Sequence, residues 1–455
     1  MVCALLCTVA ALAAADDNRS LGDRTRQYLS DLVRIDTSNP PGNETQLAQY
    51  LKQAVEAFGI SGELLGTDPK RMNFIGRLRG DGKARPLLLM AHSDVFPVDR
   101  AQWTVNPFGA ELRNGYIYGR GTQEAKNFLA AEMAVMVEIK RRNLKLSRDL
   151  ILLSEADEEA GSSGVQWLIQ NAWPKIDAEA ALSEGGAIVE TKDGTRLFQV
   201  ETLEKVPTRI LLTARGAASR GTVPRPDMAI LRLNDAIGRL TRANNDQPLR
   251  YNGTTRRYFR RLAGISDYEW LVPLLPRLED AATMQAAAAQ IRMHDPDLDA
   301  MLHTTITPTV LPPGNNNIAQ AQLEVWRMPS ETREEVLVRL RQAVNDSAVE
   351  ISFAPGPQAP GTDPSPTMTP PYQAIRRAIG RLYPHDADVV AFMSRGASDS
   401  SYLRLRGMPV YGAPLFVREP GDSRVHGNDE RIAAKSLDDG VELLWQIVLE
   451  IAGEN

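Results

Sequence analysis

The sequence predicts an α/β protein: a mixed, mainly parallel sheet flanked by helices, with a smaller α+β domain inserted into it. Three observations carry that prediction. Short, wholly apolar runs end at His or acidic residues, helix-period stretches separate them, and the texture of the chain changes near Val206. Apolar runs that alternate with amphipathic helices are the pattern of strands buried on both faces, as in a parallel sheet.

Arg24 to Phe58 has helical periodicity, broken at the Ser38-Asn39-Pro40-Pro41-Gly42 turn. Pro86 to Met90 is the first apolar run and stops at Ala91-His92. Glu124 to Arg141 reads as a helix, and Leu150 to Ser154 as a second buried strand stopping before Glu155 to Glu159. Ser163 to Asn171 is helical, and Ala178 to Leu182 is a third strand ending before Glu184. Beyond Val206, Thr208 to Ala214 is strand-like, Ala229 to Ala243 helical, and Arg250 to Pro296 a helical insertion. Gln320 to Arg327 (strand), Glu331 to Asn345 (helix) and Val349 to Phe353 (strand) complete a small α+β domain. The Pro- and Gly-rich stretch Ala354 to Pro371 reads as the return linker. Tyr372 to Leu382, Val389 to Met393, Gly407 to Ala413 and Ala434 to Ala452 then finish the larger domain. The expected organisation is a leader over residues 1–15, a larger domain over 16–205 and 360–455, and an inserted domain over 206–359.

A chain of 455 residues exceeds one ordinary core, in keeping with two domains. A net charge of -5, with 24% charged residues, offers no dense basic face for nucleic acid or an anionic membrane. No stretch after residue 15 approaches the roughly 20 apolar residues that span a bilayer. Val2 to Ala14 is apolar and ends in the small residues Ala13-Ala14-Ala15 before Asp16 and Asp17. The expectation is a signal peptide cut after Ala15, and so a periplasmic or secreted protein. A buried first helix is the alternative, but the polar stretch that follows gives it nothing to join. Cys3 and Cys7 both fall in this segment, so the processed chain would carry no thiol.

In open α/β sheets ligands bind at the carboxyl ends of strands, and each apolar run here delivers a His or an acid to that edge. Ala91-His92-Ser93-Asp94 sets an imidazole at a strand end with a carboxylate two residues on, the pattern of a metal ligand oriented by an acid. Alone, such a His reads equally as structural. Tyr118-Gly119-Arg120-Gly121-Thr122-Gln123-Glu124-Ala125-Lys126 is a tight turn opening a helix, where Glu124 is also simply a favourable N-terminal acid. Asp157-Glu158-Glu159 follows a buried strand, and adjacent acids there repel unless cations offset them. Ser183-Glu184-Gly185-Gly186 and Arg424-Val425-His426-Gly427-Asn428-Asp429-Glu430 complete the set. Two His and several carboxylates are the inventory of a dinuclear site. The mixture suits zinc, with cobalt or manganese as alternatives.

The order and spacing of His92-Ser93-Asp94, Gly119-Arg120-Gly121 with Glu124 and Lys126, Glu158-Glu159, Glu184-Gly185-Gly186 and His426 resemble the M20 family of metallopeptidases. Thr202-Leu203-Glu204-Lys205 and Gly396-Ala397-Ser398-Asp399, followed by Tyr402-Leu403-Arg404, share in the resemblance, which runs from about Asp23 to the C-terminus. That family includes glutamate carboxypeptidases, aminoacylases, dipeptidases and succinyl-diaminopimelate desuccinylases. The resemblance implies a dinuclear zinc exopeptidase fold with two Zn2+ per chain. His92 and Glu184 would hold one ion, Glu159 and His426 the other, and Glu124 would bridge. It further implies that Asp94 orients His92 and that Glu158 is the general base for water attacking an amide. The implied substrate is a small peptide or N-acyl amino acid cut beside its carboxylate. The inserted domain would be a lid and, as in many relatives, a homodimer interface.

Three departures from the family pattern stand out. Glu124 replaces the usual Asp, and its extra methylene moves the carboxylate outward by roughly a bond length. In the lid segment Gly216-Ala217-Ala218-Ser219-Arg220-Gly221-Thr222-Val223-Pro224, Arg220 takes the place of a His. Arginine keeps a cationic donor for an oxyanion but gives up no proton. His294 and His303 lie elsewhere and do not match. Around Asn315-Asn316-Asn317-Ile318 the chain is shortened, and Arg327 reads either as a clamp for the substrate carboxylate or as part of a structural ion pair. An active amidohydrolase therefore has two rivals: a catalytically silent binder of peptide-like ligands, motivated by Glu124 and Arg220, and a mononuclear aminopeptidase. The intact ligand types and Glu158 favour activity.

Overall fold

The computed structural model describes residues 19–192, 194–217, 225–311, 317–356, 359–385, 387–419, 421–422 and 424–454. The expected leader with Cys3 and Cys7, the Arg220 position, Asn315 and Asn316 lie outside these residues. The chain forms two units, one running to Thr202 and taking up Ser365–Ala391 and Ser398–Asn455, the other made of Leu203–Pro364 and Phe392–Ala397. Phe392–Ala397 thus join the second unit, although the linear order places them in the larger domain.

A nine-stranded mixed sheet organises the first unit. Its centre is parallel: Leu150–Glu155, Leu87–His92, Ala180–Ser183 and Val410–Gly412 lie side by side in that order. Every residue of Leu87–His92, Leu150–Glu155 and Ala180–Ser183 is buried, which is why these strands read as unbroken apolar runs. The period of two still sorts the side chains. Leu87 and Leu89 face the helices Leu21–Val33, Lys126–Arg141 and Ala434–Ala452, packing with Leu29, Met133 and Leu444. Leu88 and Met90 face the helix Ser163–Asn171 through Val165 and Leu168. Each such buried side chain contributes about 1.5–3 kcal/mol relative to exposure. The flanks are antiparallel, with Asn73–Leu78 against Leu150–Glu155, and Arg196–Glu204 beyond Val410–Gly412.

The register decides where chemistry can occur. His92 pairs with Glu155 across the two central parallel strands, so both apolar runs become polar at one carboxyl edge. The helix expected from Glu124 begins at Lys126, and turns precede it, leaving Glu124 in a connection rather than on a helix face. A three-stranded sheet of Glu111–Arg113, Tyr116–Tyr118 and Arg431–Ala433 joins that connection to the C-terminal part of the chain. Strands of three residues are too short to show a period, so no local pattern marks this sheet.

The second unit holds a four-stranded antiparallel sheet in the order Thr305–Val310, Ile318–Arg327, Val206–Arg215, Val349–Phe353. Ile318–Arg327 alternates between half-buried and buried residues along its length, the signature of a sheet covered on one face. Ala229–Ala243 and Arg333–Val344 supply the cover, with Leu233, Leu240, Val336 and Leu340 on Ile210, Leu212, Leu323 and Val325. Thr332 and Glu335 form a capping box at the start of the second of these helices. Among the described residues, no helix is long and apolar enough to cross a membrane.

Candidate metal centre

The carboxyl edge of the first unit's sheet gathers the sequence-expected ligands. His92 ends one central strand, Glu184 follows another, and Glu158 and Glu159 lie just past the third. Glu124 comes from the turn before Lys126–Arg141, and His426 from the loop before Arg431–Ala433. His92 Nε2 lies 3.5 Å from Glu184 Oε2 and 3.8 Å from Glu124 Oε1. His426 Nε2 lies 3.0 Å from Glu159 Oε1. His92 with Glu124 and Glu184, and His92 with Glu158 and Glu159, each present three ligand atoms within 4.8 Å of one another.

These spacings suit a small divalent cation. An ion held tetrahedrally at about 2.1 Å keeps its ligands roughly 3.4 Å apart. His92 Nε2 and Glu184 Oε2 are moreover buried without a hydrogen bond, an uncommon state for polar atoms and the one expected of atoms reserved for a metal. Charge balance agrees. Burial pushes the Glu158 and Glu184 carboxyls well above the usual range, and repulsion from Asp399 and Glu159 adds to it against the pull of His92. Burial likewise raises Asp399 to about 7. Glu155, both of whose carboxylate oxygens are buried without a hydrogen bond, is raised as well, by burial and then by Asp399. Cations placed among these acids would relieve the repulsion.

Asp94 meets His92 through both its main chain and its carboxylate. The nearer partner of His92 Nδ1 is the main-chain oxygen of Asp94, at 2.9 Å, with the carboxylate Oδ1 at 3.4 Å. The carboxylate also accepts from the main-chain N–H of both Glu158 and Glu159, at 3.1 Å each, and from Asn39 Nδ2 at 2.8 Å. One residue therefore aligns the imidazole and the paired acids together. Asn39 also donates to Asp157 (2.9 Å), and Arg71 joins Asp157 (2.9 Å) to the buried Glu44 (2.6 Å).

A second brace links Glu124 to His426. Glu430 accepts from the main-chain N–H of Gly121, Gln123 and Glu124, at 3.1, 2.7 and 3.3 Å. It pairs with the buried Arg120, which also donates to the main-chain oxygens of His426 (3.1 Å) and Gly427 (2.9 Å). His426 is held at φ 59°, in the left-handed region, with its ring stacked on Phe96. The Glu124–Ala125 peptide is cis. Sequence reasoning did not find Asn39, Glu44 and Arg71. Arg120 and Glu430 stood inside the quoted motifs, where a buried ion pair joining two motifs was the missing idea.

The remaining candidates sit in the second unit. Arg327 is only 8% exposed and donates to Thr208 Oγ1 (3.2 Å), to the Ala359 carbonyl (3.3 Å) and to the Glu331 carbonyl. Its partners among the described residues are hydroxyl and carbonyl oxygens rather than an acid. His303 is buried between Asp299 (3.1 Å) and the Thr304 carbonyl (3.0 Å), and His294 stacks on Trp270. Asn317 accepts from the Gly216 N–H through its carbonyl.

Residues 88–450 match the model for peptidase family M20/M25/M40. The chain is 24% identical over 449 residues to the human N-fatty-acyl-amino acid synthase/hydrolase PM20D1, covering 93% of this chain and 87% of that protein. Among solved structures it is similar in fold to an M20 family metallo-carboxypeptidase from Sulfolobus solfataricus, with a TM-score of 0.70, 19% identity and coverage of 94% and 98%. It is also similar to the YXEP protein of Bacillus subtilis, described as a dinuclear metal binding peptidase from the M20 family, with a TM-score of 0.53, 14% identity and coverage of 95% and 99%. With a family match spanning most of its length, the chain belongs to the M20/M25/M40 peptidase family and is a hydrolase of that metal-dependent class.

Proposed function

We propose that the chain hydrolyses the amide bond of an N-acyl amino acid or a small peptide, next to the substrate's carboxylate, using two zinc ions with Glu158 as general base. The observation that carries this reading is the convergence of His92, Glu124 and Glu184 on one side and Glu159 with His426 on the other, with Glu158 beside both. His92 and Glu184 would hold one ion, Glu159 and His426 the second, and Glu124 would lie between them. Bound zinc would lower the pKa of a water and stabilise negative charge on the substrate oxygen. Glu158 would take the proton of the attacking water on its carboxylate and pass it to the leaving nitrogen. Asp94 holds the Glu158 and Glu159 N–H groups, so the base and its metal-binding neighbour move together. Arg220 would add a cationic donor at the oxyanion.

The choice of substrate rests on the relatives, one of which is named for N-fatty-acyl-amino acids and another as a carboxypeptidase. The test is a library of N-acyl amino acids and dipeptides offered to purified protein with zinc, cobalt or manganese, beside Glu158→Ala. Release of a free amino acid by the parent and its loss in the variant are expected. Retained metal with no turnover of any member would contradict the reading.

A further inference from the structure

His92 and His426, the two imidazoles of the candidate metal centre, are held in place by different means. His92 is buried, and its Nδ1 lies 2.9 Å from the main-chain oxygen of Asp94, a polar partner that fixes the plane of the ring. The His426 side chain is 41% exposed, and no hydrogen bond to its Nδ1 is present among the described residues. Its main chain is secured nonetheless. Arg120 holds its carbonyl, and Thr104 donates to Asp429 through its N–H (2.8 Å) and its hydroxyl (2.9 Å). Those bonds place the Cα but leave two side-chain torsions of the imidazole to be set. The contact of Nε2 with Glu159 Oε1, at 3.0 Å, fixes one ring atom and leaves the plane open.

Phe96 supplies the missing constraint. Its ring lies against the imidazole with 4.9 Å between centroids and 16° between planes, a near-parallel stack. The platform is anchored at its base. Phe96 follows the buried Val95, whose N–H donates to the Thr37 carbonyl at 3.1 Å and whose carbonyl accepts from the Asn39 N–H at 2.9 Å. It also lies just past the strand that ends in His92, so one segment carries a ligand for one ion and a support for a ligand of the other. The Phe96 side chain remains 44% exposed and is not part of the buried core. We propose that Phe96 is a positioning residue for the second metal site, its ring serving His426 as the Asp94 carbonyl serves His92. A side chain ordered before the cation arrives loses less conformational freedom on binding it. This assignment rests on the two-metal reading above.

The test follows the two ions separately. Zinc is titrated calorimetrically into the chelator-stripped parent chain, Phe96→Ala and Phe96→Tyr, while NMR of labelled histidine follows the His426 ring. Phe96→Ala should weaken one of the two zinc equivalents by about 10-fold and leave the other at the parent affinity. The His426 resonances should report the weakened equivalent, shifting at about 10-fold higher zinc than in the parent. Phe96→Tyr keeps the ring and should restore the parent values, with the same urea midpoint in all three chains. Unchanged binding in Phe96→Ala, an equal loss at both equivalents, or no recovery in Phe96→Tyr overturns the proposal. So does a His426 ring that zinc does not shift in the parent. The number of equivalents bound by the parent judges the two-metal reading by itself. A single equivalent that shifts His426 in a Phe96-dependent way would discard that reading and keep Phe96 as the support. Two equivalents with no dependence on Phe96 would do the reverse.

Discussion

Both units bury charged side chains, but they satisfy them differently. In the second unit, Lys205 Nζ donates to the carbonyls of Ala300 (3.0 Å) and His303 (2.9 Å) and to Thr305 Oγ1 (3.1 Å). Glu331 there is fully buried and accepts from Arg339 at 3.0 Å and from Thr304. In the first unit, at the carboxyl edge of the sheet, His92 Nε2, Glu184 Oε2 and both Glu155 oxygens are equally buried and make no hydrogen bond. Acids and cations matched to each other and to backbone oxygens hold a fold together, whereas a surplus of buried acids is where a cation belongs.

Mutations in the two units should act in opposite ways. The largest effect should come from Glu158→Ala, with kcat/KM falling by about 10²–10⁴ while zinc content, measured by elemental analysis, stays at the parent value. Loss of metal along with turnover would make Glu158 a ligand rather than a base. Next, Glu331→Ala removes the buried acceptor shared by Arg339 and Thr304 in the second unit. It should destabilise that unit by about 3–5 kcal/mol in urea unfolding, without changing zinc affinity. Asp94→Ala and Glu430→Gln should do the opposite. Each should weaken zinc binding by about 10–100-fold, read by chelator competition, because they brace the ligands rather than hold the metal.

The smallest effect concerns pH. Burial alone would raise the Asp149 carboxyl, but bonds from Arg77, the Gly80 N–H and Arg79 overcome it and hold it below the usual range. The unfolded chain then takes up a proton at a pH where the folded chain does not. The stabilisation from Asp149 is therefore whole at neutral pH and is lost as pH falls below about 4, through the depressed folded value. Asp149→Asn should lower stability at pH 7 and flatten that acid limb. An unchanged limb would show that the three donors do not act through this carboxylate.

The metal ligands were legible in the sequence because the chemistry demands particular residue types where apolar strands end, and each motif stands next to its strand. Their braces were not. Asn39, Glu44 and Arg71 reach Asp94 and Asp157 only through tertiary packing, so no local pattern marks them. Asp94 shows the limit within a motif: its position was readable, but not that its carbonyl would face the imidazole while its carboxylate gathered Glu158 and Glu159. Arg327 makes the same point: strand-end placement left a clamp and a structural ion pair open, and its bonds to Thr208 and the Glu331 carbonyl are a property of folded neighbours.

In the proposed two-metal site, the buried acids of the first unit act together with His92 and His426. Zinc titration of the chelator-stripped chain, followed by calorimetry and checked by elemental analysis, tests it most directly. Two equivalents bound per chain, reduced to one in His426→Ala, is the predicted result. A single equivalent in the parent chain, or none, would contradict it.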